Sequence, residues 1–317
     1  YFLRVASPDL RRADDTRVRT VRDVIIEVDA SGEVVDEWRL FEILDPNRNI
    51  VLKSIDQGAV CLNIDTSQSG KTLSAEQLAK LEAQHAFGDI AGTGAGRNWA
   101  HVNSVDHDPV DDSIILSSRH QSAVVKIGRD KQVKWILAAP NGWRGGLKDK
   151  VLSPVGKDGR PLSCRIGKCE GGFDWTWTQH TAWKIDELSK GDIVYVSVFD
   201  NGDGRAFVQP EDQNEKYSRA VVYKIDQKAM TVEQVWEYGK ERGHELYSPI
   251  TSSVEYQADK NSVVVYWASI GTGSKTGPAP VLTEFRWGET KPAFEMHLKG
   301  GMGYRALPID AQKAFVR

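Results

Sequence analysis

The sequence predicts an all-β fold, a β-propeller with four antiparallel strands in each blade. Two observations predict it. Short strand-like runs alternate with turn residues over most of the chain, and one hairpin is written three times. Its copies are IIEVDASGEVVDEW (25–38), VVKIGRDKQVKW (124–135) and VVYKIDQKAMTVEQVW (221–236), each turning on Asp with Gly or Lys and ending in Trp. A sandwich rarely repeats a whole hairpin, whereas units of four strands recurring at about 70 to 80 residues mark propeller blades.

The elements follow in order. An incomplete first unit reads YFLRVAS (1–7), TVRDVIIEVDA (20–30) and GEVVDEWRL (32–40). The second unit is HVNSVDHD (101–108), SIILSSR (113–119), SAVVKIGRD (122–130) and QVKWILAAP (132–140). TAWKIDEL (181–188), DIVYVSVFD (192–200), RAVVYKIDQ (219–227) and TVEQVWEYG (231–239) make the third. PITSSVEY (249–256), NSVVVYWASI (261–270), PVLTEFRWG (280–288) and PAFEMHLKG (292–300) make the fourth. MGYRALPID (302–310) is left over as a terminal strand. One helix is expected over 74–87, where Ser74 and Gln77 have capping-box spacing, with His85 near its end. The chain opens on YFLRVAS in mid-strand, so 1–317 reads as a propeller domain whose N-terminal part lies upstream.

Composition narrows the function classes. Lys plus Arg number 41 against 44 Asp plus Glu, a net charge of −3, which lacks the basic field a nucleic acid needs. No apolar run approaches the roughly 20 residues of a membrane span. Three cysteines are present: Cys61, read as a buried thiol, and Cys164 and Cys169 in CRIGKC. That spacing completes no zinc set, and a local bridge and a reduced pair both remain open.

Functional candidates are residues that break the repeat. Aligning the innermost strands by the apolar strand that follows each puts His101 where His180 stands, with Ile250 or Thr251 in the last unit. SSRH (117–120) aligns with SVFD (197–200) and ASIG (268–271), so Arg119 replaces Phe199 and Ile270. An arginine among apolar siblings needs an anion to offset its burial. Asn103 lies two residues from His101 and adds a neutral donor. Two imidazoles, an amide and a guanidinium with no carboxylate make a poor calcium or magnesium site, so no metal is expected. They suit an oxyanion with a nucleophile alongside. Trp175, Trp177, Trp183 and Tyr304 are candidates to flank an aryl ring.

NWAHVNSVDHD (98–108), SIILSSRHQSAVVKI (113–127), CRIGKC, DWTWTQHTAWKID (174–186) and GYRALPID (303–310) together resemble the PAPS-independent arylsulfate sulfotransferases of the bacterial periplasm. The resemblance covers essentially the whole chain in order. It implies a six-bladed propeller preceded by a small β-domain, a homodimer, and sulfuryl transfer from an aryl sulfate to a phenol by ping-pong kinetics, with no cofactor. Position by position, it implies that His180 is the nucleophile that becomes sulfurylated. His101, Asn103 and Arg119 bind the sulfuryl group and stabilise charge. Cys164 and Cys169 form a disulfide made by a dedicated thiol oxidase. The resemblance also implies a further histidine for proton transfer on an earlier blade, which would precede Tyr1, so the acid that protonates phenolate is either His101 or that residue.

Two other readings stand beside it. A lactonase-like, metal-dependent propeller hydrolase needs axial Asp or Glu, which the innermost strands are expected to lack. A non-catalytic propeller platform would tolerate exchange of Arg119 and His180. GTGAGR (92–97) reads as a loop, and FDNGDGR (199–205) as a turn rather than a calcium loop. His107, His244 and His297 read as solvated, and His120 as a neighbour able to support Arg119.

Overall fold

The computed structural model describes residues 1–13, 16–45, 48, 76, 100–165, 167–207 and 212–309. Strands β1 (Phe2–Ala13), β2 (Thr16–Val28) and β3 (Val34–Arg39) form an antiparallel sheet, followed by one helical turn, α1 (Leu40–Ile43). A four-stranded meander comes next: β4 (Val102–Asp108), β5 (Ser113–Ser118), β6 (Ala123–Ile127) and β7 (Val133–Leu137). After an excursion holding β8 (Ser153–Val155), β9 (Cys164–Arg165) and β10 (Lys168–Cys169), β11 (His180–Lys184), β12 (Ile193–Asp200), β13 (Arg219–Asp226) and β14 (Thr231–Tyr238) form the third sheet. The fourth is β15 (Ser253–Gln257), β16 (Ser262–Trp267), β17 (Val281–Arg286) and β18 (Phe294–His297). The all-β prediction and the twelve strands expected in the three complete units are therefore all present.

Successive sheets stack through separate apolar cores, and side-chain alternation decides which core each residue enters. Ile114 and Leu116 face the first sheet with Ile25 and Trp38, while Ile115 between them faces the third. Along β13, Val221, Tyr223 and Ile225 pack toward the second sheet, and Ala220 and Val222 toward the fourth. Sheets covered on both faces read as continuous apolar runs, which is why SIILSS is buried throughout.

The three tryptophans of the repeated hairpin perform the same task. Trp38 Nε1 donates to Gly128 O at 2.9 Å, Trp135 Nε1 to Gln227 Oε1 at 3.0 Å, and Trp236 Nε1 to Glu289 O at 2.8 Å. Each acceptor lies in the final hairpin turn of the next sheet, so one step is taken three times. The first strands of the last three sheets also stand side by side. Asn103 Nδ2 donates to Gln179 O at 2.8 Å, and Ser197 Oγ to Val254 O at 3.1 Å.

Two elements differ from expectation. The 302–310 stretch is not a strand over its described residues. It follows Gly300 and Gly301, both at positive φ, and contains Pro308, which lacks a donor. It is held instead by Ser252 N to Tyr304 O at 3.0 Å. The unexpected β8 joins the third sheet parallel to β14, its Pro154 tolerated at a sheet edge. Of the expected helix over 74–87 only Glu76 is described, and it is helical. His85, Cys61 and GTGAGR lie outside the described residues.

Candidate functional site

The site forms where the first strands begin. His180 pairs with Phe199, and His101 O accepts from Arg119 N at 3.2 Å. His101 therefore occupies the register position of His180, as the repeat alignment predicts. The backbone there is left-handed at non-glycine residues: φ is 48° at His101, 54° at Thr181 and 60° at Thr251. Such residues cost on the order of 1–3 kcal/mol each and persist only where their surroundings hold them. The two threonines bond back locally, Thr181 Oγ1 to His180 O at 2.7 Å and Thr251 Oγ1 to Ile250 O at 2.6 Å.

His180 is buried, and its ring has a defined tautomer. Asn201 Nδ2 donates to Ser248 O at 2.7 Å and to Thr251 O at 3.1 Å, which leaves Asn201 Oδ1 as an acceptor 2.7 Å from His180 Nδ1. Nδ1 therefore carries the proton and Nε2 the lone pair. Thr251 N donates to that lone pair on Nε2 at 3.3 Å. Burial holds the imidazole well below its ordinary pKa, and the charge of Arg119 adds to this, with Arg305 and His120 contributing. The Tyr304 ring stands edge-on at 6.1 Å.

Arg119 is fully enclosed and ties three sheets together. Its Nη1 donates to Thr178 O, and its Nη2 to Pro249 O at 3.2 Å. Asp203 Oδ2 lies 3.6 Å from Nη2. The expectation of a set without a carboxylate is thus corrected. Asp203 is the anion that Arg119 needs, and it is also held by Lys216 at 3.2 Å and by the Tyr247 hydroxyl.

The remaining expected residues flank this centre. The His101 ring lies 4.7 Å from that of His120, which is itself buried, so His120 joins the site. The Asn103 amide nitrogen is engaged with Gln179 O, while its Oδ1 is buried without a hydrogen-bond partner. Asn103 sits at a bulge between Val102 and Ser104. Trp175 and Trp177 lie in the core between the second and third sheets, which removes them as ring contacts. Trp183 is covered by Arg305, whose guanidinium sits 5.0 Å from its ring centroid. His107 and His297 pair with Asp112 and Glu295 at the surface.

Sequence reasoning missed Asn201 and Asp203, although both stand in FDNGDGR. The segment is a turn, as expected, and its side chains do more than turn the chain: Asp200 receives Arg219 at 2.8 Å and Arg205 at 2.9 Å, while Asn201 and Asp203 serve the site. Arg305 was missed as well. The innermost strands also carry carboxylates against expectation, Asp106 and Asp108 on β4 and Glu255 on β15. Asp108 is held by Lys126 at 2.6 Å and Lys184 at 3.0 Å. Burial raises the pKa of Asp106 and Glu255. Among the described residues no three His, Cys, Asp or Glu side chains gather as a metal site.

Cys164 and Cys169 are bonded to each other across the β9–β10 hairpin, and both pack on the core that holds Trp177. A family model described as Arylsulfotransferase (ASST) matches residues 1–305. The chain belongs to the arylsulfotransferase family. Among its relatives is "Arylsulfate sulfotransferase AssT" of Escherichia coli O6:H1, 56% identical over 271 residues, which is 85% of this chain and 43% of the relative. The protein of the same name from Lelliottia amnigena is 53% identical over 271 residues, with 85% and 43% covered. The chain spans less than half the length of these arylsulfotransferases.

Proposed function

We propose that this member of the arylsulfotransferase family moves a sulfuryl group from an aryl sulfate to a phenol through His180, without PAPS. The observation that carries the reading is the neutral imidazole with its Nε2 lone pair fixed by Asn201, set in the field of Arg119. Nε2 attacks sulfur, the S–O bond to the aryl group breaks, and the electron pair leaves on phenolate. A second phenol then takes the group from sulfohistidine, giving ping-pong kinetics. Arg119 stabilises charge on the sulfuryl oxygens, with Asn103 and His101 at the substrate. His101 supplies the proton to the leaving phenolate and recovers it from the incoming phenol. Preorganised donors of this kind are worth roughly 3 to 4 kcal/mol each in the transition state.

The repeated step between sheets supports reading them as consecutive blades of a propeller. The Cys164–Cys169 bridge supports a periplasmic location, where a thiol oxidase would form it. The homodimer stays a proposal resting on the resemblance. Nitrophenyl sulfate mixed with the full-length protein in chelator is the test. A burst of nitrophenol matching the enzyme, with turnover only when a phenol is added, is expected. Activity abolished by chelator would favour the hydrolase, and no burst a binding platform.

A further inference from the structure

Arg305 is a half-buried cation beside the nucleophile, and its charge reaches both His180 and the carboxylate of Glu255. Among the described residues no carboxylate lies within ion-pair distance of it, although it sits between the rings of Trp183 at 5.0 Å and Tyr304 at 5.2 Å. Its Nη2 donates to Asn103 O at 2.5 Å, and its Nε is buried without an acceptor. The Oδ1 of that same Asn103 is a buried acceptor without a donor. Two touching residues thus present one unmet donor and one unmet acceptor. A ligand atom that accepts from one and donates to the other would meet both.

The chemistry of that atom follows. A sulfuryl group offers only acceptor oxygens and leaves Asn103 Oδ1 unmet. A phenol hydroxyl both accepts and donates through one oxygen. Arg119 differs, because the sulfuryl-transfer reading assigns it to the sulfuryl oxygens, with its terminal nitrogens oriented by Thr178 O and Pro249 O.

We propose that Arg305 and Asn103 hold the phenol oxygen, the atom that leaves in the first half-reaction and attacks in the second; this rests on the sulfuryl-transfer reading above. As the His180 Nε2–S bond forms, the S–O bond breaks and its pair collects on the phenol oxygen, where Arg305 Nε donates. The phenolate takes one proton from His101. In return, an incoming phenol binds with its one O–H on Asn103 Oδ1; that hydrogen bond is given up as the proton passes to His101, and the phenol oxygen forms the new O–S bond as the N–S pair returns to Nε2. Tyr304, half exposed and edge-on to His180, borders the aryl ring.

The test is a leaving-group series, nitrophenyl, phenyl and methoxyphenyl sulfate, in single turnover with full-length wild type, Arg305→Gln and Arg305→Lys. A donor aimed at developing phenolate matters most where the phenolate is most basic. Arg305→Gln is expected to slow the nitrophenyl ester roughly 10-fold and the other two on the order of 100- to 1,000-fold, with Arg305→Lys recovering part. An equal factor for every donor, which a structural role or a sulfuryl contact gives, overturns the proposal, as does no loss. Failure of the wild type to release phenol in a burst sinks the sulfuryl-transfer reading instead.

Discussion

Asn201 Oδ1 lies 2.7 Å from His180 Nδ1, while the Asn201 amide nitrogen is anchored to Ser248 O and Thr251 O. The amide cannot turn over without losing both anchors, so the imidazole is held in one tautomer. Asn201→Ala is expected to slow sulfuryl transfer on the order of 100-fold or more, as losing the orienting partner of a catalytic histidine does. Asn201→Asp has a different signature. A carboxylate favours imidazolium, so the acid limb of the rate profile moves to higher pH. Single-turnover rates across pH, alike in both variants, would show that Asn201 only packs.

The depressed pKa of His180 sets a stability dependence with a definite sign. The folded value lies below the ordinary 6.5, so the unfolded chain binds more protons between the two. The contribution is complete above 6.5 and is lost as pH falls from there toward the folded value. Wild type is therefore expected to lose stability relative to His180→Asn as pH falls below 6.5. Urea unfolding of both proteins measures this. A pH-independent difference would place the imidazole in a water-like environment.

Arg219 fixes the approach to β11. It is fully buried, meets Asp200 at 2.8 Å and Glu237 at 2.7 Å, and donates to Asp174 O and Trp175 O just ahead of His180. Removing one partner from such a cluster leaves charge uncompensated. Arg219→Met is expected to cost roughly 3–5 kcal/mol in denaturant unfolding. A cost below about 1 kcal/mol, the range of a surface pair, would contradict this.

The disulfide closes a short hairpin beside Trp177, where Gly167 is at φ 71° and an added Cβ would stand 2.8 Å from the indole. Replacing both cysteines with serine is expected to cost about 2 kcal/mol, lowering Tm by several degrees while transfer persists. Loss of transfer without loss of stability would give the bridge a direct role in the reaction.

The blades were legible because the physics that shapes them is periodic. Alternation along β5, β12 and β13 and the thrice-written hairpin appear directly in the residues, and Trp38, Trp135 and Trp236 share one task. His101, Arg119 and His180 were visible because each breaks that pattern. Asn201, Asp203 and Arg305 break nothing. They stand in turns and tails, where Asp, Asn and Gly are ordinary and only the fold decides what they face. For Trp175 and Trp177 strand alternation allowed either a core or a ring contact, and both enter the core. Indoles beside a reactive histidine look the same in sequence whether they enter a core or a site.

The central claim is that His180 Nε2 takes the sulfuryl group. The most direct measurement is intact-mass and peptide mapping of the full-length protein quenched after mixing with an aryl sulfate and no acceptor. The account predicts an adduct of one SO₃ on the peptide carrying His180, absent from His180→Asn and discharged by added phenol. The same adduct persisting in His180→Asn, or mapping to another residue, would contradict it.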